Sequence, residues 1–158
     1  MNDSMKQFMQ LSAALTGYNQ AELQATGMQD AYYEVMMSIL GGALTGELLS
    51  AWLQVHKHAG DDEEALEALL EDKIMGDAKL APMAGNLISL WYLGQWNQMP
   101  GPWRSQYGAS ARDLSHVVSP EAYREGLVWP TIGSHPMGAK QQGYGAWALP
   151  PDGVESNG

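Results

Sequence analysis

Apolar residues in this chain recur at the three- and four-residue spacing of a helix, and no stretch shows the strict alternation of a strand. From Asp30 to Leu40 they fall on most sides of the predicted helix, which is typical of a central, buried helix. Glycine or proline separates the helical segments from one another. The sequence therefore predicts an all-α fold, with a single domain of about six helices over residues 1–130 and a long irregular C-terminal arm over residues 131–158.

Several helix ends are predicted by capping residues and glycines. Gly17 is expected to end the first helix, and Asn19 with Glu22 three residues later forms an N-cap pair for the second. The glycine pair at 41–42 is predicted to break the central helix, and Thr45 is predicted to cap the helix that follows. Each of these positions is an expectation that a structure can test.

The second half of the chain is less regular. Pro82 suits the first turn of a helix that we expect to extend as far as Trp96. A loop is predicted over residues 99–114, which contain two prolines. The Ser-Pro pair at 119–120 predicts the start of a short helix that ends at Trp129, because another proline follows it.

The arm, residues 131–158, is too rich in glycine and proline for regular structure, yet it carries His135, Met137, Tyr144 and Trp147. A disordered linker does not normally hold such residues, since low hydrophobicity is what keeps a linker disordered. We therefore expect the arm to lie against another surface, either on its own domain or on another protein.

Composition restricts the class of partner. The net charge is −10, which argues against a nucleic acid or an anionic membrane surface as a direct partner, because both demand a basic face. Only 16% of the residues are charged, whereas about a quarter is typical of a soluble domain. A low charge combined with many aromatic residues is typical of a subunit of a stable complex.

No transmembrane span and no export signal are expected. The longest uninterrupted apolar stretches are far shorter than the roughly 20 residues needed to span a bilayer. Residues 1–10 lack a basic region followed by an apolar run. The protein is therefore expected either to stay in the cytosol or to have lost its signal. The absence of cysteine removes disulfides and thiolate chemistry.

The residue chemistry points away from catalysis. His56 and His58 are two residues apart on a predicted helix, so they lie on different faces and do not suit one metal ion. The acidic run at 61–64 is more simply the negatively charged start of a helix. No phosphate loop, dinucleotide fingerprint or nucleophile elbow occurs in the required context. We expect a chain that is not an enzyme and has no catalytic residue, cofactor or metal of its own.

Five segments carry a resemblance to a known family. They are Leu90-Trp-Tyr-Leu-Gly94, the stretches 118–129 and 143–147, Ser134-His-Pro-Met-Gly-Ala-Lys140, and the N-terminal stretch 8–17. Together they resemble the small (gamma) subunit of bacterial membrane-associated FAD-dependent sugar and sugar-acid dehydrogenases, of the gluconate, 2-ketogluconate, fructose or sorbitol dehydrogenase type. The resemblance covers nearly the whole chain and is strongest from residue 90 to residue 147.

The resemblance implies a non-catalytic subunit of a three-part complex. A large subunit would bind FAD and oxidise the sugar, and a multihaem cytochrome c subunit would pass electrons to the membrane quinone pool. This chain would bind the large subunit, stabilise it and help it mature, on the periplasmic side of the inner membrane. The family's twin-arginine signal is absent from residues 1–10, so a cytoplasmic location stays open.

The partner interface is predicted on aromatic and apolar residues of the second half. Its candidate residues are Trp96, Trp103, Tyr107, His135, Met137, Tyr144 and Trp147. On the helix before Gly94 we expect Trp91 in the core and Trp96 nearer the partner, about 140° further round the helix. Gly94 would let a neighbouring element approach closely. Two alternatives stay open, namely a sugar-binding module that uses the Trp and Tyr residues, and an independent enzyme.

Overall fold

A computed structural model describes residues 3–108 and 110–133, and within these the chain is an all-α domain, as predicted. The arm residues from 134 onward lie outside the described residues. The helices are α1 (Asp3–Thr16), α2 (Gln20–Ala25), α3 (Gln29–Ala59), α4 (Glu63–Leu70), α5 (Leu80–Leu93), α6 (Gly101–Tyr107), α7 (Pro120–Arg124) and α8 (Val128–Thr131). A π-helical turn, Glu71–Met75, extends α4.

The predicted caps at the start of the chain are confirmed. α1 ends at Thr16, directly before Gly17. The Asn19 side chain accepts a hydrogen bond from the Glu22 backbone N–H at 2.8 Å, and the Glu22 carboxylate accepts one from the Asn19 N–H at 2.9 Å. This reciprocal capping box satisfies two amides that a helix start would otherwise leave without acceptors.

The central helix α3 is broken inside rather than ended. Gly41 has φ 88° and ψ 166°, a conformation that only glycine adopts readily, and the helix resumes directly after it. The predicted break is therefore confirmed. The prediction that Thr45 caps a separate helix is wrong, because Thr45 lies inside the second half of α3 and is buried.

The core is built around α3, which packs against α1, α4 and α5. Its Tyr32 ring meets the Trp91 ring of α5 edge to face, with 5.0 Å between the ring centroids. Trp91 is 1% exposed, so its predicted place in the core is confirmed. Fully buried residues from α1 and the two halves of α3, including Phe8, Met36 and Leu48, complete the centre.

By length and composition alone, α3 is long and apolar enough to cross a membrane, with a mean hydropathy of 1.3 in its most apolar window. This differs from the sequence-based expectation of no such segment. The uninterrupted apolar runs are short, but the helix continues through the glycine pair at 41–42 and joins two apolar stretches into 31 residues.

A short two-stranded ribbon follows α5. The predicted extension of this helix to Trp96 is wrong, because Gly94 adopts the left-handed conformation and ends the helix at Leu93. β1 (Gln95–Trp96) then pairs antiparallel with β2 (His116–Val117). The Asn86 side chain fixes the ribbon to α5, since its amide group both donates to the Asn97 carbonyl and accepts from the Asn97 N–H, each at 2.8 Å.

Two predictions for the second half need correction. The predicted loop over residues 99–114 contains α6, in which Pro102 occupies the first turn. The predicted helix up to Trp129 is divided into α7 and α8, because the Leu127 N–H donates to the Trp91 carbonyl at 2.9 Å and so takes the chain out of the α7 path. Ser119 caps α7 through its side chain, as predicted.

Candidate partner-binding surface

Trp96 does not lie on a surface. Its side chain is 0% exposed within the chain itself, and its indole Nε1–H donates to Asp113 Oδ1 at 2.9 Å. The prediction of Trp96 as an interface residue is therefore wrong. The angular reasoning behind it assumed a continuing helix, whereas the chain leaves the helix at Gly94 and turns Trp96 inward as a strand residue.

Asp113 is the centre of a buried polar cluster. Its carboxylate is 2% exposed and accepts hydrogen bonds from Trp96 Nε1–H, from the Met99 N–H at 3.1 Å and from Arg104 Nε–H at 2.9 Å. A buried carboxylate is tolerated only when such partners compensate for its lost hydration. The cluster ties the β ribbon to α6, so we assign Asp113 to the fold rather than to chemistry on a substrate.

Trp103 and Tyr107 form an aromatic pair on α6, with 5.2 Å between their ring centroids. Trp103 is buried and donates from Nε1 to the Lys79 carbonyl at 2.8 Å, so little of its ring is open to a partner, and its assignment to the interface stays a prediction. Tyr107 is half-buried. The Lys79 ammonium lies 5.1 Å from its ring centre and pairs with Glu47 at 2.7 Å.

Two depressions flank Tyr107. One, of about 300 Å³, has mostly apolar walls made by Ile39, Leu40, Leu44, Met99 and Trp103. The other, of about 840 Å³, is open, with walls that include Ser50, Glu47, Asp77 and Lys79. The charged groups of the second are engaged with the protein, because Lys79 pairs with Glu47 and Asp77 caps the start of α5.

The remaining predicted interface residues are His135, Met137, Tyr144 and Trp147. All four lie outside the described residues. Of the seven predicted positions, only Tyr107 is both described and partly open to solvent. The sequence-based prediction of the interface therefore depends on the arm.

The structure reveals exposed apolar side chains that sequence reasoning missed. Between the end of α5 and the end of α8 they are Leu93 (44% exposed), Leu114 (58%), Val117 (50%), Tyr123 (42%) and Ile132 (63%). Their elements are in contact with one another. The Val118 N–H donates to the Gly94 carbonyl at 2.8 Å, and the Tyr123 ring meets the Trp129 ring at 5.5 Å. This part of the chain therefore presents several exposed apolar side chains.

Charge is distributed unevenly along the chain, and this was the sequence signal that could have found the surface. Residues 1–93 hold thirteen acidic and four basic side chains, whereas residues 94–133 hold three of each. All three arginines of the chain, Arg104, Arg112 and Arg124, lie in the neutral segment. Enrichment of arginine is a feature of protein interfaces.

Two tyrosines have raised pKa values. Burial, with a smaller contribution from the nearby Glu125 carboxylate, raises the pKa of Tyr32 well above its usual range. Burial also raises the pKa of Tyr92, whose ring lies 6.2 Å from that of Tyr18. Both phenols therefore stay protonated at neutral pH, and neither is activated as a base or a nucleophile.

The histidines of α3 are held by local contacts. The His56 ring stacks on Trp52 at 5.4 Å, and His58 Nδ1 lies 2.7 Å from the Gln54 carbonyl oxygen. Among residues 3–108 and 110–133, no group of three histidine, aspartate or glutamate side chains is placed to hold a metal ion.

Comparison with known proteins finds no match for this chain among protein families, curated proteins or solved structures.

Proposed function

We propose that this chain is the non-catalytic small subunit of a flavoprotein dehydrogenase complex, which binds, stabilises and helps mature a large FAD-containing subunit that oxidises a sugar or sugar acid. The observation that carries the proposal is the group of exposed apolar side chains from Leu93 to Ile132. All of them except Leu93 lie in residues 94–133, which hold equal numbers of acidic and basic side chains, and the arm follows directly in the sequence.

The buried polar groups support a binding role over a catalytic one. The deepest carboxylate of the ribbon region, Asp113, is occupied by hydrogen bonds that hold Trp96, Met99 and Arg104 in place. A general acid or base must instead face a substrate with a free position. FAD and c-type haem, with the chemistry of oxidation and electron transfer, are proposed for partner subunits, on the resemblance of residues 90–147.

The location of the complex follows from the same resemblance. A large subunit that feeds a multihaem cytochrome c and the quinone pool works on the periplasmic side of the inner membrane. In this proposal the chain meets the membrane only indirectly, through the complex, which agrees with its net charge of −10.

The alternative of a sugar-binding module has a narrower basis. Its best candidate is the open depression of about 840 Å³ beside Tyr107. Sugar rings stack on exposed aromatic faces, but Lys79 lies over the Tyr107 ring and Trp103 packs against it. We therefore rank this function second. A change in tryptophan fluorescence on titrating the isolated chain with sugars would favour it.

The test of the proposal is maturation of the partner. A candidate flavoprotein subunit, sought among the neighbouring reading frames, is expressed with and without this chain, and the chain carries the affinity tag. We expect a complex in which flavin resides in the large subunit, sugar-dependent dye reduction, and loss of soluble flavinylated protein when this chain is omitted. The isolated chain should contain no stoichiometric flavin, haem or metal. A large subunit that matures fully alone and does not co-purify would contradict the proposal.

A further inference from the structure

Helix α6 covers one side of the smaller depression beside Tyr107. The facing wall is the stretch of α3 around its break, with Ile39, Leu40 and Leu44, and α6 contributes Trp103 and Tyr107. About 300 Å³ between the two helices is not filled by side chains, whereas α3 packs closely on α1, α4 and α5. Protein interiors are normally packed without gaps of that size. α6 therefore covers α3 without packing closely on it.

Both ends of α6 are formed by glycine. Gly101 is its first residue, and a Cβ there would meet no atom within 4 Å. Gly108 follows its last residue with φ 93° and ψ 163°, a conformation that is open mainly to glycine. Hinges are a few residues at the ends of an element that absorb changes in φ and ψ. α6 can therefore change its angle to α3 without deforming its own turns.

Few side-chain interactions hold α6 to other elements of the described chain. The Trp103 Nε1–H donates to the Lys79 carbonyl at 2.8 Å, and the Lys79 ammonium lies 5.1 Å from the centre of the Tyr107 ring. Arg104, whose side chain is 34% exposed, donates from Nε to Asp113 at 2.9 Å. Two of these three interactions converge on Lys79, directly before α5.

We propose that α6 is a lid that swings on Gly101 and Gly108, is held closed by Lys79, and exposes the facing wall of α3 when it opens. Opening exposes the ring of Trp103, which is 5% exposed in the closed form, and breaks its bond to the Lys79 carbonyl. Global unfolding breaks these interactions and the whole core as well, so lid opening costs less free energy. The lid belongs to this chain alone and does not depend on the proposed partner subunit.

Two indole N–H groups report lid opening separately from unfolding. The Trp103 Nε1–H is released when α6 swings away, whereas the fully buried Trp96 keeps its bond to Asp113. Their hydrogen exchange is followed by NMR in the full chain at increasing urea concentrations. We expect Trp103 to exchange at least about tenfold faster than Trp96. Its rate should depend weakly on urea, because lid opening exposes little surface, and the Trp96 rate should depend steeply on urea.

Lys79→Met tests what holds the lid closed, and Lys73→Met is its control. Both lysines are in a salt bridge, but only Lys79 contacts α6. Loss of the ammonium above the Tyr107 ring should speed Trp103 exchange by about two- to fivefold. Trp96 exchange should stay within about twofold of wild type, since partly exposed salt bridges contribute little to global stability. Lys73→Met should change neither rate.

Gly101→Ala tests the hinge in the opposite direction. The added Cβ has room in the closed form, and alanine narrows the backbone conformations open to the hinge. Trp103 exchange should therefore slow by about two- to fivefold. Equal rates and equal urea dependence for Trp103 and Trp96 in the wild-type chain would mean that α6 opens only when the domain unfolds, and would overturn the lid.

Discussion

Asp113 makes the folding of residues 96–113 depend on a single carboxylate. Asp113→Ala would leave the buried Trp96 indole N–H and Met99 amide without their acceptor, and would remove the ion-pair partner of Arg104, whose side chain is 34% exposed. Each buried donor left without an acceptor costs about 1–3 kcal/mol, so the two together should cost about 2–5 kcal/mol. We expect a loss of that size in urea unfolding.

The matched control for Asp113→Ala is Asp72→Ala. Asp72 also pairs with a basic residue, Lys73, but both side chains are largely exposed to solvent. Exposed pairs contribute about 0–1 kcal/mol. Equal losses in the two variants would show that the Asp113 cluster does not hold the ribbon.

Tyr32 is expected to make the protein sensitive to alkali. Its folded pKa is raised, so above about pH 10 the unfolded chain loses a proton that the folded chain keeps. The free energy of unfolding should then fall by about 1.4 kcal/mol for each further pH unit from this residue. Below the unfolded pKa the contribution is fully present.

Tyr32→Phe tests this linkage. The Tyr32 hydroxyl has no hydrogen-bond partner among the described residues, so its removal at pH 7 should be neutral or slightly stabilising. Urea unfolding at pH 7 and pH 11 should show a smaller alkaline loss in the variant than in wild type. The same slope in both proteins would contradict the prediction.

At the scale of elements, the approach of α7 to the end of α5 depends on a residue without a side chain. A Cβ on Gly94 would lie 2.5 Å from the Ala122 carbonyl oxygen, and the residue has φ +66°. The sequence-based expectation of a close approach at Gly94 is therefore confirmed. Gly94→Ala should destabilise the fold by about 2–4 kcal/mol, from left-handed strain and overpacking together.

Gly85→Ala is the control in the same helix. A Cβ there has no neighbour within 4 Å, and the residue is exposed in the interior of α5. Alanine is the better helix former, so we expect a gain of about 0.5–1 kcal/mol in thermal unfolding. A loss at residue 85 as large as that at residue 94 would mean that the contact with α7 is not the cause.

The elements that could be predicted from the sequence are those whose ends are determined by residues close together in the chain. The capping box at Asn19 and Glu22 and the break at Gly41 act within a few residues, so the sequence indicated both. α6 was missed because Pro100 and Pro102 are typical loop residues, although Pro102 is in a first turn, where proline is tolerated. The ribbon was missed because two-residue strands show no alternation, and its pairing is a tertiary contact.

The interface residues were harder to predict from the sequence than the helices, because their burial depends on contacts between distant parts of the chain. Tryptophan is a residue type that often anchors interfaces. In this chain, however, the Trp96 indole N–H donates to Asp113 and the Trp103 indole N–H donates to the Lys79 carbonyl, both far along the chain. Nothing local in the sequence reveals such bonds. The exposed residue Val117 is small and isolated in the sequence, and it becomes part of a surface only when the elements assemble.

At the scale of the whole molecule, the arm and the helical domain should separate in function. Deleting residues 134–158 should leave far-UV helicity and cooperative unfolding largely intact, because the described core is formed by earlier residues. The same deletion should abolish co-purification with the large subunit, since it removes Met137, Tyr144 and Trp147.

The position of the cut matters for this deletion. Thr131 belongs to the domain, because its hydroxyl lies 2.6 Å from the Tyr18 hydroxyl and its N–H donates to the Leu127 carbonyl. A cut after Gly133 therefore spares α8. Full co-purification of this shortened chain would indicate that the arm is not needed for the complex and packs on its own domain.

Gly41 also determines what α3 offers to a lipid bilayer. An unbroken α3 of 31 residues would rise about 46 Å, well beyond a hydrocarbon core of about 30 Å. Divided at Gly41, its halves rise only about 18 Å and 27 Å. Lipid supplies no hydrogen bonds to the backbone groups released at such a break. A break such as that at Gly41 therefore needs other helices to cover it, and in this domain α1, α4 and α5 pack against α3.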